Sequence, residues 1–165
     1  MEIEHAPLRQ QHCYPSRYQK KVNEIVSAAA HSVLSHLGTN HSEAVYHKAM
    51  RVELDHELAL PESHLMSTPY SHITSEVPVL IKYRNITVGQ GRIDMILQCS
   101  YESDLGEYPV LVEFKVASNF SNTTAEAVDQ LKRYMRDVDY SCPFGIVIVF
   151  PKRGAENLKI VTVEI

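Results

Sequence analysis

From Arg17 to Leu37 apolar residues recur at Val22, Ile25, Val26, Ala29, Val33 and Leu37, which predicts a helix with one buried stripe. Gly38 stands where such a helix ends. A second helix is predicted from Ser42 to Leu58, with Val45, Ala49, Val52 and Leu58 inward and Glu43 in the first turn, where the dipole favours a carboxylate. Beyond Pro61 the pattern lapses into a polar loop, and from Glu76 the period becomes two. Glu76 to Tyr83 reads as a strand, Arg84-Asn85 as a turn, and Ile86 onward as a second strand. Gly89 and Gly91 within that second strand predict a bulge or a close backbone approach. After them Ile93, Met95 and Leu97 are expected on one face and Arg92, Asp94 and Ile96 on the other.

Val110 to Val116 is the most apolar strand pattern, with Val110, Val112, Phe114 and Val116 on a core face and Leu111, Glu113 and Lys115 opposite. Thr123-Thr124-Ala125-Glu126 fits a capping box for a third helix running to Asp139, burying Val128, Leu131, Met135 and Val138. Phe144 to Phe150 and Leu158 to Ile165 complete the strands. The third and fourth strands are joined by a helical crossover and are therefore expected to be parallel. The order predicts a single α/β domain over residues 17–165, a mixed central β-sheet flanked by helices. Residues 1–16 read as an arm, with Pro7 and Pro15 and no usable period.

Composition narrows the class. At 165 residues and 44% hydrophobic content, one substantial core is expected. No apolar run approaches membrane-spanning length and the first residues lack the order of a secretion signal, so no membrane partner is expected. Cys13, Cys99 and Cys142 are odd in number and lack metal-ligand spacing, which suits reduced thiols and an intracellular protein. The net charge of −4 argues against holding nucleic acid by bulk electrostatics, yet leaves room for a local basic patch from Lys82, Arg84, Lys132, Arg133, Arg136 and Lys152. His31, His36, His41 and His47 scatter around their helices and read as exposed or capping residues.

The chemistry gathers on the strands. An unpaired carboxylate in so apolar a strand is costly to desolvate, so Glu113 and Lys115 need each other, a cation or a wet cleft. Asp94 from the neighbouring strand and Glu113 can converge on a hard cation such as Mg²⁺, with the main-chain carbonyl of Phe114 as a further oxygen if the ladder is loosened there. Taken singly, Glu-x-Lys is usually a salt bridge, Asp94 a paired carboxylate and Glu43 a first-turn residue. Their joint order on the elements that the chemistry needs favours a site.

Gly91-Arg92-Ile93-Asp94, Glu113-Phe114-Lys115 and Gln130-Leu131-Lys132-Arg133-Tyr134 resemble the G-x-x-D, E-x-K and Q-x-x-x-Y series of the PD-(D/E)xK nuclease superfamily, in its RecB-type and lambda-exonuclease-like members. Upstream, Asn40 to Tyr46 resembles the G-x-x-E-x-x-Y signature of a small family, with Asn40 in place of its glycine. The resemblance implies a Mg²⁺- or Mn²⁺-dependent deoxyribonuclease using a metal-activated water. Asp94, Glu113, the Phe114 carbonyl and Glu43 would hold the metal. Lys115 would act on the attacking water, with Gln130 and Tyr134 supporting it or a substrate phosphate. DNA is the expected partner, with RNA and a homo-oligomer left open. The alternative is an inactive nuclease-fold protein serving as a nucleic-acid-binding or assembly module.

Overall fold

The computed structural model describes residues 16–60, 72–100, 107–153 and 157–165. The predicted arm, apart from Ser16, and most of the loop between the second helix and the first strand lie outside these residues, as do Cys13 and Gly154. The chain runs α1 (Ser16–Leu37), α2 (Glu43–Ala59), β1 (His72–Tyr83), β2 (Ile86–Ser100), β3 (Glu107–Ala117), α3 (Phe120–Asp137), β4 (Gly145–Pro151) and β5 (Lys159–Val163). The five strands form one sheet in sequence order. β3 and β4 are parallel, as the crossover through α3 predicts, and the other neighbours are antiparallel. Among the described residues no helix is long and apolar enough to cross a membrane.

The alternating side chains of β3 and β4 separate two cores. Val110, Val112 and Phe114 join Ile146, Ile148 and Phe150 against α1 and α2, while Leu111, Val147 and Val149 meet Ala127, Leu131 and Met135 of α3. The sheet is thus covered on both faces, which is why its central strands read as continuous apolar runs.

Three local expectations are corrected. The buried stripe of α2 is Tyr46, Met50, Leu54 and Leu58, which keeps Leu58 of the predicted set and replaces Val45, Ala49 and Val52. Val45 and Val52 are exposed, because the larger Tyr46 ring and Met50 chain remove more apolar surface from water than two valines do. α3 starts at Phe120 and not at the predicted Thr123 capping box, since the Asn119 side chain accepts from the Asn122 N–H and caps the helix earlier. It ends at Asp137, two residues short of the prediction.

The third correction concerns β2. Met95 and Leu97 pack on the α1/α2 side, but Ile93 belongs to the α3 side with Ile96. The change of face falls at Asp94, which sits between the paired residues Ser75↔Met95 and Val77↔Ile93, opposite Glu76 at φ 54°. A left-handed residue there breaks strict alternation and re-aims the neighbouring side chains. The two glycines behave as their pattern predicts: the β1–β2 register shifts between Ile81 and Lys82, beside Gly89, and Gly91 permits a close approach. A Cβ at Gly91 would lie 2.6 Å from Cε1 of Tyr134. Gly91→Ala is therefore expected to lower stability by about 1–3 kcal/mol in urea unfolding, because the Tyr134 ring is itself packed and cannot easily yield. An unchanged midpoint would show that the ring moves freely.

Candidate active site

The site forms where β2 and β3 part. Their ladder runs from Ser100↔Glu107 to Met95↔Val112 and stops there. One step further, the Phe114 N–H donates to Oδ2 of Asp94 at 2.8 Å in place of a strand backbone. In an extended strand the N–H and C=O of one residue point the same way. The Phe114 carbonyl therefore faces the same gap, which is the loosened ladder that a carbonyl ligand requires.

Glu113 is only 1% exposed, and its Oε1 accepts from Lys115 Nζ at 2.7 Å. Its Oε2 is buried with no hydrogen-bond partner among the described residues. Burial, then the charges of Asp94 and Glu43, push the Glu113 carboxyl up to about 7 against the pull of Lys115. Burial draws Lys115 down, but the hydrogen bond and charge of Glu113, with Glu43 and Asp94, outweigh it and hold the ammonium above its ordinary range. Three carboxylates thus share one ammonium, and the surplus negative charge sits in a low-dielectric pocket.

Glu43 reaches this cluster from the first turn of α2, and partial burial raises its carboxyl, with Asp94 adding to the rise and Lys115 and His47 opposing it. The turn ahead of it is built by Gly38 at φ 70° and Asn40 at φ 70°, so asparagine supplies the left-handed geometry that a glycine would. Tyr46 fastens that turn: its hydroxyl donates to the Gly38 carbonyl at 2.7 Å, and its ring stacks on Phe150 at 4.3 Å. Tyr46→Phe is expected to lower stability by about 1 kcal/mol in chemical denaturation, the scale of one buried hydrogen bond. A neutral result would mean that the turn holds without it.

Gln130 and Tyr134 are placed differently. Gln130 donates to the Tyr134 hydroxyl at 3.0 Å, and the ring lies over Gly91 on the α3 face of β2. Among the described residues neither is hydrogen-bonded to Lys115. Their position buttresses the backbone three residues before Asp94.

His47 departs from the expected exposed role. His31, His36 and His41 do bond the carbonyl four residues back. His47 instead stacks on Phe114 at 5.2 Å, and its Nε2 is buried without a partner. It lines a cleft of about 550 Å³ with Glu43, Arg51, Glu76, Arg92 and Asp94. The signal was present in the sequence: Glu43, His47 and Arg51 recur every four residues and so share one helix face.

The donors fit a hard divalent cation. They are oxygens, one of them buried and unsatisfied, and the Phe114 carbonyl points into the gap. Among the described residues no group of three or more acidic, His or Cys side chains is arranged to hold a metal ion. Asp94, Glu113 and the Phe114 carbonyl would hold it, with Glu43 beside them.

The search of curated proteins returns no match. The family model described as the PD-(D/E)XK nuclease superfamily matches residues 20–161, which contain both divergent strands, the crossover helix and the Glu43 turn. The chain belongs to the PD-(D/E)XK nuclease superfamily.

Proposed function

We propose that the protein is a Mg²⁺- or Mn²⁺-dependent nuclease that hydrolyses DNA phosphodiester bonds inside the cell. The observation that carries this reading is the buried, half-satisfied Glu113 carboxylate, set against Asp94 at the strand divergence with Lys115 bonded to it. Glu113 meets Lys115 through Oε1 alone, so that among the described residues its buried Oε2 is left for a further partner.

A divalent cation, when bound, supplies Lewis acidity and a lowered pKa for water. The protein's own residues do the rest. Asp94 is fixed by the Phe114 N–H, so its carboxylate is oriented before substrate arrives. Lys115, held at the strand divergence by Glu113, would place its ammonium beside the attacking water and the phosphate charge that develops in the transition state. Arg51 and Arg92 line the cleft that Asp94 opens into, paired with Asp55 at 3.0 Å and Glu76 at 3.7 Å, and these exposed pairs can open to a polyanionic backbone. Gln130 and Tyr134 hold β2 in register.

The test is incubation of linear, nicked, circular and single-stranded DNA, and of RNA, with Mg²⁺, Mn²⁺ or EDTA. Cleavage in either metal and none in EDTA is expected. Binding without cleavage in every condition would transfer the protein to the alternative class, a nucleic-acid-binding or assembly module.

A further inference from the structure

The outer half of the β1–β2 hairpin has no place in the hydrolytic site. Its root is anchored: Val77, Val79 and Ile93 pack with α3, and Tyr134 lies over Gly91. Beyond it Leu80, Tyr83, Ile86 and Val88 are exposed, Tyr83 at 62% and Ile86 at 67%. Tyr83 and Ile86 are direct cross-strand partners and therefore share a face, closed by a turn at Arg84 and Asn85 with φ of 50° and 64°. Arg84 lies 5.5 Å from the centroid of the Tyr83 ring.

The charge on this arm is one-sided. Residues 77–93 contain Lys82, Arg84 and Arg92 and no Asp or Glu, in a chain whose net charge is −4; Lys82 lies 3.6 Å from Asp139 and Arg92 3.7 Å from Glu76, both as exposed pairs, and Arg84 stands at the tip against Tyr83. The arm also continues the cleft wall, since Ser75, Glu76 and Arg92 at its root line the cleft. A second copy of the chain is the less suitable occupant. β1 is an edge strand, but Pro78, Lys82 and the register shift at Ile81/Lys82 are devices that block edge-to-edge pairing.

We infer that the hairpin is a nucleic-acid arm on which Tyr83, backed by Arg84, stacks an unpaired base of the substrate strand. This rests on reading the cleft as a nuclease site and names the substrate class: single-stranded, or duplex with a single-stranded tail. From Pro78↔Arg92 to Tyr83↔Ile86 the arm extends about 17 Å, at roughly 3.4 Å per residue. Nucleotides stacked at about 3.4 Å put the contacted base about five positions from the cleft mouth. One exposed aromatic face with a cation behind it suits a base of any identity, whereas a paired base offers no free face.

The experiment measures anisotropy of fluorescein-labelled single-stranded, tailed and blunt DNA with Mg²⁺, in the Lys115→Ala background, with and without Tyr83→Ala. Tyr83→Ala is expected to weaken single-stranded and tailed DNA about tenfold and leave blunt duplex unchanged, with Tyr83→Trp restoring affinity. Equal weakening of all three, or no change, overturns the arm. So does light scattering that shows a dimer of the unaltered protein dissolved by Tyr83→Ala with DNA affinity intact. If the unaltered protein neither cuts nor binds any nucleic acid, the nuclease reading falls too; if it cuts and Tyr83→Ala is silent, only the arm falls.

Discussion

Lys115→Ala is expected to reduce metal-dependent cleavage by about 10²–10³-fold, the effect of removing one preorganised charge from a transition state, while leaving Mn²⁺ bound. Asp94→Asn is expected to remove both. The two variants separate because their geometry differs. Among the described residues Lys115 is bonded to Oε1 of Glu113 and to no other carboxylate, so its loss exposes the acidic cluster to a cation. Asp94 spends Oδ2 on the Phe114 N–H and keeps its other oxygen to hold a cation. Asparagine preserves the bond to Phe114 and deletes the charge, so the fold should survive. Mn²⁺ binding by electron paramagnetic resonance, beside a gel assay of cleavage, distinguishes the roles. Cleavage at the original rate by either variant would end the mechanism, and loss of Mn²⁺ from Lys115→Ala alone would recast the lysine as a structural support for Glu113.

Much of this site was legible before any coordinates. Asp94, Glu113 and Lys115 announce themselves because charged residues in apolar strands are rare and need a reason, and the strand period alone puts Glu113 and Lys115 on one side. The parallel pairing of β3 and β4 follows from a helix between them. What escaped was geometry that local pattern does not encode. The α2 register depended on whether Tyr46 and Met50 or Val45 and Val52 turned inward; both sets fit a helical period, and packing against Phe150 decided it. The face of Ile93 depended on Glu76 adopting positive φ, a conformation that glutamate does not advertise. The Asn119 cap prevailed over a motif that looked stronger at Thr123 because the chain leaving β3 was already in position to turn. His47 was overlooked for treating four histidines as one class, although only His47 stands four residues from a cleft carboxylate.

Glu113→Gln is expected to be more stable than the unaltered protein at pH 8 in EDTA and less stable than it when Mg²⁺ is saturating. With the carboxyl held at about 7 in the fold against 4.5 unfolded, the folded chain keeps a proton between those values that the unfolded chain has lost. Stability of the unaltered protein therefore falls as pH rises from about 4.5 to 7 and is flat on either side with respect to this group. Glutamine has no such dependence and still accepts from Lys115. The gap between the two proteins should thus be small near pH 4.5 and full at pH 8, on the order of 3 kcal/mol. That corresponds to roughly 10 °C in midpoint for a chain of this size. Saturating Mg²⁺ reverses the order, because a ligand at about 1,000 times its Kd adds about 4.1 kcal/mol to the protein that binds it and nothing to one that does not. Thermal unfolding at the two pH values, with EDTA or Mg²⁺, reads all four combinations. A Glu113→Gln protein less stable in EDTA at pH 8 would mean that Glu113 and Lys115 form a satisfied structural pair. The unpaired Oε2 would then say nothing about a cation.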